Sequence, residues 1–222
     1  MAEPRRYQAV VSIGTQCLTS NVLKWAGLKA FSGPFDWIFS SLDMVSDCIE
    51  NNFADLLNID YLKTIPREPD VGTGFANHAL YHARYGLRAI FNHYDPRSTE
   101  GYAYFRRCVR RMRVVLCSEQ PQLLLAVGIP EDLPTAATAR LFDLLDTRTA
   151  AVEAWIITIE PTAADQCLEL LGNRGRHRLY RFAAYGPVNG AEFADPRDND
   201  FLAVQLRALI RLQDQPLDFS GV

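Results

Sequence analysis

Leu123-Leu124-Leu125-Ala126-Val127-Gly128, then Ala136 to Leu145, then Val152-Glu153-Ala154-Trp155-Ile156-Ile157-Thr158-Ile159, decide the fold of this chain. The first and last stretches are apolar runs of strand length, and the one between them carries its apolar residues at helical spacing. The alternation continues with Ala163 to Leu171 as a helix, Arg178 to Ala183 as a strand and Asp200 to Leu212 as a last helix. Strands alternating with helices of this length indicate βαβ units. The expected architecture is therefore α/β: a three-layer sandwich with a mostly parallel central sheet and helices on both faces.

Working back toward the N-terminus, Tyr7 to Ile13 reads as a first strand whose β-branched centre stops at Gly14, and Leu18, Val22 and Trp25 follow at helical spacing. This is strand, tight turn and helix, with Cys17 at or just inside the first helical turn and Gly27 ending the helix. Leu28 to Phe31 reads as a short strand and Ser32 to Trp37 as a turn. Ser41 to Leu57 reads as a helix striped by Leu42, Val45, Ile49, Phe53 and Leu56, with Ser40 and Asp43 as its capping box. Tyr61 to Asn77, with two prolines and two glycines, reads as a long surface loop of the kind that forms lids. Ala79 to Phe91 alternates around Gly86 as two strands and delivers Asn92-His93-Tyr94-Asp95 at its far end. The helix after Pro96 places Tyr102, Phe105, Val109, Met112 and Leu116 on one stripe and its arginines mostly elsewhere. One domain over 1–222 is expected, with 58–91 as a loop and hairpin insertion.

With 23 Lys+Arg against 26 Asp+Glu the formal charge is −3, so no global basic field exists to hold nucleic acid or an anionic membrane. Five cysteines without a CxxC pair write neither a disulfide framework nor a zinc finger. A reducing, cytoplasmic setting is expected. The longest apolar run, Leu123 to Ile129, is far below the roughly 20 residues of a membrane helix.

In an open parallel sheet, ligands bind beyond the carboxyl ends of strands, which is where Cys17 falls. At a helix start the dipole and unpaired N–H groups favour a thiolate and could hold an oxyanion. The alternative is a buried cysteine packed as a small hydrophobe, and that reading is kept for Cys48, Cys108, Cys117 and Cys167. A thiol nucleophile needs a base. Of His78, His82, His93 and His177, His93 in its polar cluster suits a cleft edge, with Asp95 to orient its ring; a solvated loop histidine is the alternative. His78 and His82, four apart, would share a helix face as metal ligands, but two unrelated histidines fit the pattern better, and no metal is expected. Gly14, Thr15 and Gln16 form a sparse phosphate-cradling turn, weak as a signal. The arginines from Arg106 to Arg113 could bind phosphate or a polyanionic sugar, against a solvated face. Asp36 and Trp37 either seat a substrate or form a packed aromatic corner.

Val10 to Cys17, then Pro34-Phe35-Asp36-Trp37-Ile38, then Ile49-Glu50-Asn51-Asn52-Phe53 resemble a bacterial family labelled "putative papain-like cysteine peptidase", a domain of unknown function. Tyr85-Gly86 before Phe91-Asn92-His93, and Tyr104 to Arg107, are similar to it too. The resemblance implies Cys17 as nucleophile and His93 as its partner. The family has Asp directly after that His; here Tyr94 intervenes, leaving Asp95 as the acid and Asp36 as its substitute. A second resemblance, limited to the first motif, is to capsule-polysaccharide acyltransferases that bind coenzyme A.

The leading expectation is a Cys-dependent acyl-transfer enzyme, a peptidase or other hydrolase acting on a peptide or glycan substrate without cofactor. Cys17 attacks, His93 acts as base, Asp95 or Asp36 orients it, and Gly14, Thr15, Gln16 and Trp37 contact substrate. The competitors are a coenzyme A-dependent acyltransferase acting on a polysaccharide and a non-enzymatic module for an anion or sugar.

Overall fold

A computed structural model describes residues 3–64, 76–215 and 217–219. The chain runs β1 (Arg5–Tyr7), β2 (Ala9–Ser12), α1 (Leu18–Trp25), α2 (Leu42–Glu50), β3 (Leu62–Thr64), β4 (Ala76–His78), α3 (Ala79–Tyr85) and α4 (Thr99–Cys117). It continues with β5 (Gln122–Gly128), α5 (Thr135–Arg148), β6 (Val152–Pro161), β7 (Cys167–Arg174), β8 (His177–Ala184), α6 (Pro196–Leu209) and β9 (Ile210–Leu212). The central sheet has the order β2-β5-β6-β8-β7; every pair is parallel except β7 with β8.

Successive residues of a strand point to opposite faces, and the core divides accordingly. Leu123, Leu125 and Val127 of β5 with Trp155 and Ile157 of β6 share one apolar cluster with Leu18 and Val22 of α1 and Leu202 and Leu206 of α6. Leu124, Ala126, Ala154 and Ile156 share the other with Val45 of α2, Val109 and Met112 of α4 and Leu141 of α5. Covering on both faces explains why these strands read as unbroken apolar runs. Among the described residues no helix is long and apolar enough to cross a membrane.

Several elements differ from their sequence reading. The first strand is two: Arg5–Tyr7 pairs with β9, and the chain then steps over so that Ala9–Ser12 pairs with β5. Leu28 to Phe31 forms no strand. The helix expected over Ser41 to Leu57 stops at Glu50 because Asn52 and Phe53 take positive φ, 53° and 60°, yet Ile49, Phe53 and Leu56 still enter the core. Its cap is Ser41, which accepts from the Met44 N–H at 3.2 Å, not Ser40 with Asp43. The two strands expected over Ala79 to Phe91 are replaced by α3: His78 caps it, and Gly86, at φ 69°, closes it with an N–H to the His82 carbonyl. A left-handed C-cap is a conformation that glycine adopts without strain. Of the helix expected over Ala163 to Leu171, residues 163–166 form a loop and the rest enters the edge strand β7, which turns through Gly175-Arg176 and takes its backbone partners from β8. Of the loop expected over Tyr61 to Asn77, the ends pair as β3 and β4; 65–75 lie outside the described residues.

Candidate functional site

The site grows from the turn that joins β2 to α1. A Cβ on Gly14 would lie 2.2 Å from Thr19 Oγ1, so only glycine permits this approach. That hydroxyl is already committed: it donates to the Val127 carbonyl at 3.1 Å and accepts from the Val127 N–H at 2.9 Å, tying the first turn of α1 to the end of β5. Ser40, released from capping, donates from Oγ to the Gly14 carbonyl at 2.8 Å and from its N–H to the Thr15 carbonyl at 2.9 Å. Gly14 and Thr15 are buried and serve as scaffold. Gln16, half-buried, donates its amide to Asp132 Oδ2 at 3.2 Å. The turn thereby presents Cys17 as the N-cap residue of α1, with 7% of its surface exposed.

His93 comes from the segment between α3 and α4. The fully buried Phe91 bridges to Ile38 and to Ala76, and its ring packs edge-on against Phe105 at 5.0 Å. Two residues beyond that anchor His93 is exposed, and its Nε2 stands 3.2 Å from Cys17 Sγ. The antiparallel bridge at Ile38 also sets Trp37 beside it, with ring centres 5.7 Å apart. Lys24 Nζ lies 4.6 Å from the centre of the same indole.

Neither acid expected to orient His93 does so. The carboxylate of Asp95 is turned to Arg97, bonded by its backbone N–H, Nε and Nη2 at 2.9 Å each, and this guanidinium holds it below the usual carboxylate range. Asp36 is fully buried and bonded to the Lys29 ammonium and to the Gly33 N–H. Burial pushes its carboxyl upward, with Lys29 opposing. Among the described residues no carboxylate bonds the far nitrogen of His93. Asp36 instead fixes the aromatic corner that carries Trp37.

Electrostatics at the sulfur also depart from expectation. Burial pushes the Cys17 thiol up, and the two groups that favour the thiolate, its own backbone N–H and the Asn92 side-chain amide, do not overcome it. The N–H of Leu18, expected to serve an oxyanion, already donates to the Gly190 carbonyl at 2.9 Å. Asn92 is the site residue that sequence reasoning passed over. Its signal was adjacency to His93; its Oδ1 is buried without a hydrogen-bond partner.

Cys48 and the other three histidines have structural partners. Cys48 is buried against Tyr81 Oη at 3.2 Å, and burial pushes its thiol up to about 12; that of Cys108 rises to about 11. Cys117 and Cys167, expected to be packed, are exposed. His78 bonds the Asp55 carbonyl through Nε2 and the Tyr81 N–H through Nδ1, while His82 Nδ1 bonds the Leu87 carbonyl. His177 accepts the Ala154 N–H at 3.0 Å and pairs with Asp146.

Neither the curated proteins nor the solved structures contain a match to the chain. A family model described as "Putative papain-like cysteine peptidase (DUF1796)" matches residues 8–132, a span that includes Cys17, Trp37, Asn92 and His93. Since that span is more than half of the 222 residues, the chain belongs to this family.

Proposed function

We propose that the chain is a cysteine peptidase or closely related hydrolase whose nucleophile is Cys17 and whose general base is His93, on a three-layer α/β scaffold. The observation that carries the reading is the 3.2 Å separation of Cys17 Sγ and His93 Nε2, within the reach that direct proton transfer requires. In the resting pair the buried thiol keeps its proton. As sulfur attacks the substrate carbonyl, the S–H proton passes to His93 Nε2, and the carbonyl electron pair moves onto oxygen. Collapse of the tetrahedral adduct breaks the bond to the leaving amine or alcohol, which takes the proton from His93. Water then attacks the thioester, again losing its proton to His93, and Cys17 leaves as the thiol.

Two donors favour negative charge on the sulfur, the Cys17 N–H and the Asn92 side-chain amide. Exposure of His93 leaves a path for the leaving group, and Trp37 provides an apolar wall beside it. A peptide carbonyl is the substrate class in this reading.

The test uses a mixture of fluorogenic peptides with Cys117 and Cys167 both replaced by Ser, so that exposed thiols do not interfere. Cys17→Ser in that background loses at least about a hundredfold in rate. Hydrolysis that persists unchanged in Cys17→Ser defeats the reading.

A further inference from the structure

Helix α4 carries Arg106, Arg107, Arg110, Arg111 and Arg113 along two turns. Among the described residues none of these five guanidinium groups has a carboxylate at ion-pair distance, whereas Arg5, Arg84, Arg140, Arg178 and Arg181 each reach one. Arg107, Arg110 and Arg111, three and four residues apart, share one face of the helix, and like charges at that spacing repel. With Phe219 they line a cleft of about 170 Å³. The Arg111 guanidinium lies 5.8 Å from the centre of the Phe219 ring, which is also held by Phe31 at 4.9 Å. A second cleft, lined by Arg106 and Arg113 among others, shares Arg110 with the first. In a chain of formal charge −3 this is a local concentration of positive charge, with no general basic field behind it.

Guanidinium forks match the oxygens of a phosphoryl group, to which they donate pairs of hydrogen bonds. Pockets that enclose a whole ligand run to roughly 300–1,000 Å³, so a cleft of about 170 Å³ is sized for a head group. We propose that Arg107, Arg110 and Arg111, with Phe219 as an apolar wall, form a binding site for a phosphoryl or pyrophosphoryl group. The site shares no residue with the Cys17 and His93 pair and does not rest on the peptidase reading.

Titration calorimetry on the full chain at constant ionic strength tests this, with inorganic phosphate, pyrophosphate and glucose 6-phosphate as separate probes. At least one binds saturably, and Arg110→Gln with Arg111→Gln weakens it by about tenfold or more. Arg88→Gln, an exposed arginine outside the cleft whose replacement removes one positive charge, leaves the affinity unaltered. Tighter binding of the sugar phosphate than of free phosphate identifies the ligand as an organic phosphate; the reverse order identifies an inorganic anion. Should the double variant unfold, Arg110→Lys keeps the charge, loses the fork and is expected to weaken binding as well. No saturable heat with any of the three probes, or equal weakening by Arg88→Gln, overturns the site.

Discussion

The sulfur of Cys17 and Nε2 of His93 meet at 3.2 Å across 76 positions of sequence, one group buried and the other open to solvent. Asp95, the acid nearest in sequence, is spent on Arg97. His93→Ala is therefore expected to slow alkylation of Cys17 by iodoacetamide at pH 7 by about a hundredfold, whereas Asp95→Asn leaves it unchanged. Peptide mapping of the adduct separates Cys17 from the exposed Cys117 and Cys167. A large effect of Asp95→Asn would restore that carboxylate to the mechanism.

The pH profile of the same reaction follows from burial. Enclosure penalises the thiolate, so the folded thiol ionises only above its ordinary range, and the Asn92 amide acts in the opposite direction. The alkylation rate of Cys17 should go on rising beyond the midpoint of about 8.5 that an ordinary thiol shows, and Asn92→Ala should move the profile further up. A midpoint in the acid range would mean a preformed thiolate and imidazolium, contrary to this account.

Gly14→Ala is expected to destabilise the fold by about 1–3 kcal/mol, the usual cost of overpacking, because the new methyl meets Thr19 Oγ1 at 2.2 Å. Urea denaturation measures it. Thr19→Ala removes the nearer obstruction, the hydroxyl, and leaves the Thr19 Cβ at 2.7 Å, so the double variant should still lose less than the two single losses combined. Strict additivity would show that the contact is relieved some other way.

Asp47 holds α2 to α3 and α5. Burial works against its carboxylate, but bonds from Tyr85 Oη at 2.5 Å, Arg140 at 2.6 Å and Arg84 at 2.9 Å outweigh it and lower the pKa. A depressed folded pKa gives stability that is present above the unfolded value of about 3.9 and is lost as pH falls through the folded value. Asp47→Asn should cost about 1–3 kcal/mol at pH 7, the arginines being partly exposed. The gap to the parent chain in urea should close as the pH falls from the unfolded value through the lower folded one. A gap that does not change with pH would remove the carboxylate from the account.

What local sequence determined is the part of the molecule whose pattern and environment agree. β5 and β6 are buried along most of their length and read as apolar runs, the stripe of α4 faces the core, and a β-branched run stopped by Gly14 puts Cys17 at a helix start. Where the environment is imposed from outside, the pattern misleads. β7 carries the good helix formers Leu168 to Leu171 and is largely exposed; it is a strand because β8 offers it backbone partners. α3 is capped by a histidine, a residue outside the usual N-cap set. The candidate site shows the same division. Its residue types are local, but the meeting of Cys17 with His93 depends on the bridge between Ile38 and Phe91, and the fate of each acid depends on whether Arg97 or Lys29 stands nearer than the imidazole. Hydrogen bonds act over about 3 Å, and a distance on that scale between remote segments is decided only when the chain has folded.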